Sequence, residues 1–325
     1  MRSKAQNPLM AWFRLHWRMI SRVASVCFML SVAALLGVLA VKVDWQKVGE
    51  ALVAYDVRTL ALAMFFSTLS YLVYSCFDAL GKAYTEHPLS WSRTMFVGAI
   101  SYAFSMNLGS ALGGAGLRLR LYTRLGLPKG TVMRIIGLSI TTNWVGYFWL
   151  AGVVFSSAFM TLPEQWKVGS LALRIIGVFM VLAGVAYLYL CATSTRRSWE
   201  IKGHEIELPS VQIALLQVTL AMLNWSLMGA VIYVLLQQNV DYFVVLGLLL
   251  ITAVAGAVVH MPAGLGVIES VFIGALYYSS SRADILAALV AYRAVYYLIP
   301  LALAGLGFFF LESRVGNSPG LESKS

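Results

Sequence analysis

The sequence predicts an all-α polytopic membrane protein built as two inverted repeats, each with three full spans and one re-entrant, broken-helix hairpin. Three observations lead there. The 325 residues are 60% hydrophobic and only 12% charged. That is about half the charge of a soluble domain, too little polar surface to cover a water-soluble globule. The apolar residues fall into runs of about 20, the length that crosses a bilayer as a helix. The cations lie between these runs and sort to one side of the membrane only if two apolar stretches turn back inside it.

The runs follow in order. Val23–Val41 comes after a basic tail carrying Arg2, Lys4, Arg14, Arg18 and Arg22. It is too long for a signal h-region and no small-x-small site follows, so it reads as an uncleaved first span. Next come Thr59–Leu80, Thr94–Leu112, Thr131–Phe155, Leu171–Ala192, Val211–Leu236 and Tyr242–Met261, then the short Val267–Ser279 and finally Ala283–Leu311. The organisation expected is a basic cytoplasmic tail (1–22), one transmembrane domain (23–312, with halves 23–160 and 171–312) and a polar cytoplasmic tail (313–325).

Charge decides the topology. If every long run crosses, Arg118, Arg120, Arg124, Lys129, Arg196, Arg197 and Lys202 all fall outside. If 94–126 and 242–280 are instead hairpins that return to their side of entry, those residues become cytoplasmic. The outer loops then keep Lys42, Lys47, Arg58, Lys167 and Arg282, and both termini lie inside. The second arrangement obeys the positive-inside rule. It also exposes a repeat. A shift of 150 residues superposes the spans, sets Gly114 on Gly264 and Gly116 on Gly266, and sets Asn143 on Arg293. Residue identity between the halves is weak; matching hydropathy and matching breaks carry the inference. With three crossings and one hairpin each, the halves have opposite orientation, as in many transporters.

The breaks are where chemistry fits. Irregular backbone at membrane depth must face protein or a water-filled cavity. Glycine permits a sharp turn and close approach by a ligand. A half-helix beginning after Gly266 offers free N–H groups to a phosphate or carboxylate; the alternative use of such glycines is close helix packing. Arg118 follows Gly116 and Glu269 follows Gly266. Arg293 stands mid-span, with Tyr292 beside it and Tyr296 on its face; Pro300 after it is expected to kink the helix. Charges at such depth are costly, so they are seldom idle. Either Glu269 and Arg293 form a salt bridge that only locks the fold, or Arg118 and Arg293 hold an anionic headgroup with Glu269 as counter-ion. A cationic headgroup would engage Glu269 itself. Asn143 is a weaker candidate. Asp78 reads as interfacial, and His260 beside Pro262 as structural.

Other classes are excluded. The charges do not gather on a polar domain, which argues against nucleic acid. Cys27, Cys76 and Cys191 lie in apolar stretches with no metal or redox spacing. His16, His87, His204 and His260 are isolated, and no zincin, P-loop, nucleophile-elbow or dinucleotide motif occurs. The expectation is a non-enzyme with no cofactor and no metal. Its partners would be membrane phospholipids and a separately encoded lipid-synthesis enzyme. Its function would be lipid transport, or scaffolding of a lipid-modifying enzyme, or transport of a small solute.

The segments MPAGLGVIESVFIGAL and AALVAYRAVYYLIPLALAGL resemble the transmembrane region of the lysylphosphatidylglycerol synthases. That family shows a Pro-Gly-Gly-Gly-Glu-like run and then a Tyr-Arg pair with aromatics and a proline. Here the positions are Pro262, Gly264, Gly266, Glu269, Tyr292, Arg293, Tyr296 and Pro300, with Ala263 replacing one glycine. NLGSALGGAGLRLRLYTRLGLP, with Gly114, Gly116 and Arg118, resembles the family's first broken-helix motif. The resemblance covers about residues 20–312. It implies a flippase-like membrane domain of the bacterial inner membrane, moving an anionic or aminoacylated phospholipid between leaflets. The aminoacyl-transfer chemistry of the family resides in a soluble domain that this sequence does not contain.

Overall fold

The computed structural model describes residues 45–157, 167–195, 198–201, 204–259, 266–277 and 279–316. The first expected span, Val23–Val41, and the glycine-run residues Pro262 and Gly264 lie outside these, as does His260. The described elements are α1 (Trp45–Val53), α2 (Val57–Thr85), α3 (Trp91–Leu108), a π-helical segment (Ser110–Gly116), α4 (Leu117–Arg124), α5 (Lys129–Ser156) and α6 (Lys167–Thr193). A two-stranded antiparallel hairpin follows, β1 (Ser198–Ile201) and β2 (His204–Glu207). Then come α7 (Val211–Leu235), α8 (Tyr242–Val259), α9 (Val267–Leu276), α10 (Arg282–Tyr292), a second π-helical segment (Arg293–Leu298) and α11 (Ile299–Gly316).

Among the described residues, five helical stretches are long and apolar enough to cross a membrane: Val57–Thr85, Lys129–Ser156, Leu171–Thr193, Val211–Leu235 and Arg282–Leu311. Their starts are chemically marked. Asp56, Ser90, Ser210 and Ser281 each accept a hydrogen bond from a backbone N–H of the first turn, which satisfies a donor the helix itself leaves free. Helix α11 runs on to Gly316, so the first residues of the expected polar tail are helical. The β-hairpin is a departure from the all-α expectation, and it falls in the polar segment between α6 and α7.

At the centre, α2 packs along α7. In hydrocarbon, apolar burial does not drive helices together; close packing and interhelical hydrogen bonds do. The contact faces suit this. α2 buries Ala63, Ser67 and Ser70, and α7 buries Ala214, Ala221 and Asn224. α5 joins the same core, and α6 lies on α5 with Leu171, Ile175, Phe179 and Leu182 exposed, the surface a lipid-facing helix presents.

The stretch 91–124 is a hairpin. α3 ends at Gly109, whose φ of 86° no β-carbon residue adopts comfortably. The chain then returns alongside α3: Arg118 and Tyr122 come back to the level of Asp78 and Thr94. The turn is therefore at Gly109, not at the Gly114–Gly116 pair. Gly113 serves the return instead. A β-carbon there would stand 2.2 Å from the Phe104 carbonyl oxygen. In the second half, α9 packs back on α8 in the same way. The order of elements recurs: α2 and α7 end 150 residues apart, at Thr85 and Leu235, and α4 and α9 begin 150 apart, at Leu117 and Val267.

Gly113→Ala should destabilise the protein by about 1–3 kcal/mol through overpacking, while Gly137→Ala, with open space at its β-carbon, should be neutral or stabilising by up to about 1 kcal/mol. Thermal unfolding of the detergent-solubilised variants checks this; equal melting of both would contradict it.

Candidate functional site

Pro300 shapes the site. Proline has no N–H, so a carbonyl of the preceding turn loses its helical donor. The π-helical winding of Arg293–Leu298 disturbs the pattern around it, a feature frequent at functional positions. The affected carbonyls are satisfied from outside. Tyr71 Oη donates to Tyr296 O at 3.0 Å, Ser67 Oγ to Val295 O at 3.2 Å, and Asn107 Nδ2 to Tyr297 O at 3.2 Å. Thus α2 and α3 supply donors to three successive carbonyls of the break.

The break is also tied through side chains. Tyr296 Oη lies 2.6 Å from Ser70 Oγ and 2.8 Å from Tyr102 Oη. Ser70 donates to Asn224 Oδ1 at 2.8 Å, and Asn224 Nδ2 donates to Tyr102 Oη at 3.4 Å. These four groups close a ring in which each can donate once and accept once. All four residues are buried. The Met228 Sδ, 3.5 Å from Tyr102 Oη, is an alternative acceptor.

Beside the ring lies a cavity of about 230 Å³ between α7, α8, α9 and the break. Trp225, Met228, Leu249, Ile268, Tyr292 and Arg293 are among its walls. Arg293 is the one charged residue lining it among the described residues. Its Nε donates to Glu269 Oε1 at 2.9 Å. Its Nη2 also lies 2.8 Å from that oxygen, but without the alignment of a hydrogen bond. Both nitrogens thus face the one carboxylate oxygen and form the ion pair. Glu269 Oε2 accepts from Gly266 N at 2.9 Å. The carboxylate therefore clamps the start of α9 to the break, and Gly266, at φ 82°, has its own N–H already occupied.

The first half carries a second pair. Arg118 Nε donates to Asp78 Oδ1 at 3.0 Å and Nη2 to Oδ2 at 2.8 Å. Tyr122 Oη donates to Asp78 Oδ1 at 2.9 Å, and the guanidinium sits 5.7 Å from the Tyr74 ring centroid. Asp78 is 0% and Arg118 3% exposed. Asp78 is thus a buried partner rather than an interfacial residue.

The expected site residues divide accordingly. Glu269, Arg293, Gly266 and Tyr292 come together, Tyr296 joins the adjoining ring, and Arg118 is committed to Asp78 and does not line the cavity with Arg293. Gly114 is buried and its carbonyl accepts from Arg118 Nη1 at 3.4 Å, while Gly116 closes the first π-helical segment. Asn143 is half-buried on α5, away from the cavity walls. Trp225, Ser70, Tyr102 and Asn224 were not foreseen. Asn224, an amide inside an apolar run, was the available signal.

Residues 22–304 match the family described as the lysylphosphatidylglycerol synthase TM region, a span that holds both ion pairs and the break. The chain belongs to this family. The chain is also 44% identical to the inner membrane protein YbhN of Escherichia coli over 299 residues, 92% of this chain and 94% of that one. It is 29% identical to the Synechocystis protein slr0712 over 304 residues, 91% of this chain and 94% of that one. The family match extends through Leu298, so the π-helical break and its donors on α2 and α3 belong to the shared region.

Removing one member of the first pair leaves a buried charge uncompensated, at a cost of about 3–5 kcal/mol. Asp78→Asn and Arg118→Gln should each lower the melting temperature sharply, and the double variant should recover much of the loss. Strictly additive losses would show that the two residues do not act as a pair.

Proposed function

We propose that the protein is a flippase-like lipid transporter of the inner membrane, which takes a phospholipid headgroup into the cavity beside the Arg293–Leu298 break and passes it between leaflets. The observation that carries this is a cavity of about 230 Å³ walled by apolar side chains, with a single arginine placed on it by the break. Irregular backbone and a charge at such depth are expensive, and both are found where a polar guest must be met. The family's designation as a transmembrane region and the inner-membrane location named for YbhN support the setting.

The transport reading uses an inverted repeat. Two halves whose elements recur in order, with α2 packed on α7 between them, fit a pair of bundles that rock against each other around a central site. The hairpins 91–124 and 242–276 take the re-entrant role, and both termini are cytoplasmic. The protein supplies no catalysis in this scheme; a separate enzyme makes the lipid.

Leaflet exchange of labelled phospholipid in liposomes containing the purified protein should be measurable and should fall about tenfold or more in Arg293→Gln, the loss of one charge-assisted hydrogen bond. Wild-type exchange in a folded Arg293→Gln protein would remove the cavity from the mechanism. Reporter fusions should place Lys129 and Lys202 in the cytoplasm and Lys167 and Arg282 outside; an external Lys129 would remove the hairpin topology.

A further inference from the structure

A second hollow of about 210 Å³ lies between α2, α3 and α11. It shares no lining residue with the cavity at Arg293. Its walls carry little unmet polarity. The Ser67 and Tyr71 hydroxyls already donate to Val295 O and Tyr296 O, and Thr68, the remaining hydroxyl, is exposed. The other lining residues are all apolar, among them Met64, Phe96, Ile100, Pro300 and Leu303. Ordered water needs two to four polar partners and finds too few here. Phe96 is 40% and Leu303 64% exposed, so the hollow opens on the surface that faces lipid. A β-carbon at Gly307 would stand 2.8 Å from Phe96 Cζ, so this glycine lets α11 lie against the Phe96 ring.

A cation stands above the opening. Arg93 precedes Phe96 by three residues and Ile100 by seven, which puts all three on one face of α3. Arg93 is exposed, and its guanidinium has no partner among the described residues. It lies in the first turn of α3, where the helix dipole disfavours a cation and no acidic residue offsets it. Trp91, 55% exposed and two residues earlier, is the residue type found at headgroup level. Ile100 lies seven residues further along the helix, about 10 Å deeper. A phosphate held at Arg93 therefore sets its acyl chain over the hollow.

We propose that this hollow binds a phospholipid of the surrounding bilayer, with one acyl chain against Phe96, Ile100 and Pro300 and the phosphate on Arg93. The site is separate from the headgroup cavity and does not depend on transport. The chain passes from hydrocarbon to hydrocarbon, so no transfer from water drives it. The gain is dispersion contact with walls that would otherwise face a void. Choice among lipids falls to Arg93, because only the headgroup differs in charge.

The test is photo-crosslinking of the full-length protein in nanodiscs of phosphatidylcholine. The probe is a minor fraction of phosphatidylglycerol carrying a diazirine midway along one acyl chain. Adducts are mapped by peptide mass spectrometry and should concentrate on residues 96–100 and 299–304. Arg93→Gln should lower that yield about fivefold, the contribution of one cation at an anionic membrane surface. Ala99→Phe, which fills the hollow, should abolish it and leave adducts on the lipid-facing side of α6 unchanged. Leu303→Trp at the exposed rim supplies the same block if Ala99→Phe does not fold, as judged by thermal melting. Equal yields on α6 and on the hollow overturn the site. So does an Arg93→Gln yield equal to wild type, or a hollow still labelled in the blocked variants. Leaflet exchange tests the transport reading and leaves this inference untouched.

Discussion

A carbonyl without a donor governs this molecule. Pro300 cannot bond back to the preceding turn, and in a membrane no water stands ready to replace the lost donor. Ser67, Tyr71 and Asn107 donate instead to the carbonyls of Val295, Tyr296 and Tyr297. These three residues sit on α2 and α3, so the break in one half of the sequence is held open by helices of the other. The Tyr296–Ser70–Asn224–Tyr102 ring extends the same dependence to α7. Interhelical hydrogen bonds in membranes contribute about 0.6 kcal/mol on average, so the ring's value lies in fixing one geometry more than in summed energy.

That geometry separates two similar-looking charge pairs. Asp78–Arg118 is sealed, bidentate and reinforced by Tyr122. Removing either partner strands a charge, which makes the pair a lock. Glu269–Arg293 is half-open: two guanidinium nitrogens face one carboxylate oxygen, and both side chains keep some exposure beside the cavity. Glu269 divides its two oxygens between Arg293 and the start of α9. It holds the arginine in place beside the cavity. On the function proposed above, the first pair serves stability and the second serves binding.

Much of this was legible in the sequence. Runs of about 20 apolar residues fix helices across a bilayer whatever their packing, and the helices α2, α5, α6, α7 and α10–α11 follow. The Glu269–Arg293 pair was one of two readings open for those residues, and the structure gives them a bond. Other features depend on tertiary contact. Asp78 stands at the end of the Thr59–Leu80 run, which suggests an interface; only the return of the 91–124 hairpin brings Arg118 to it. The reversal falls at Gly109 because that residue takes the positive φ, whereas Gly113 is needed for close approach, and the sequence does not distinguish the two demands. The β-hairpin at 198–207 sits in a short polar segment, where alternation over four residues is too brief a signal.

The central claim is that the break at Arg293–Leu298 builds a headgroup site. An electron cryo-microscopy map of the full-length protein in nanodiscs of anionic phospholipid tests it most directly. Headgroup density within hydrogen-bond reach of Arg293 Nη2 and Tyr292 Oη is the result expected. A cavity closed by its own side chains, with lipid confined to the outer surface of α6 and α11, would contradict it.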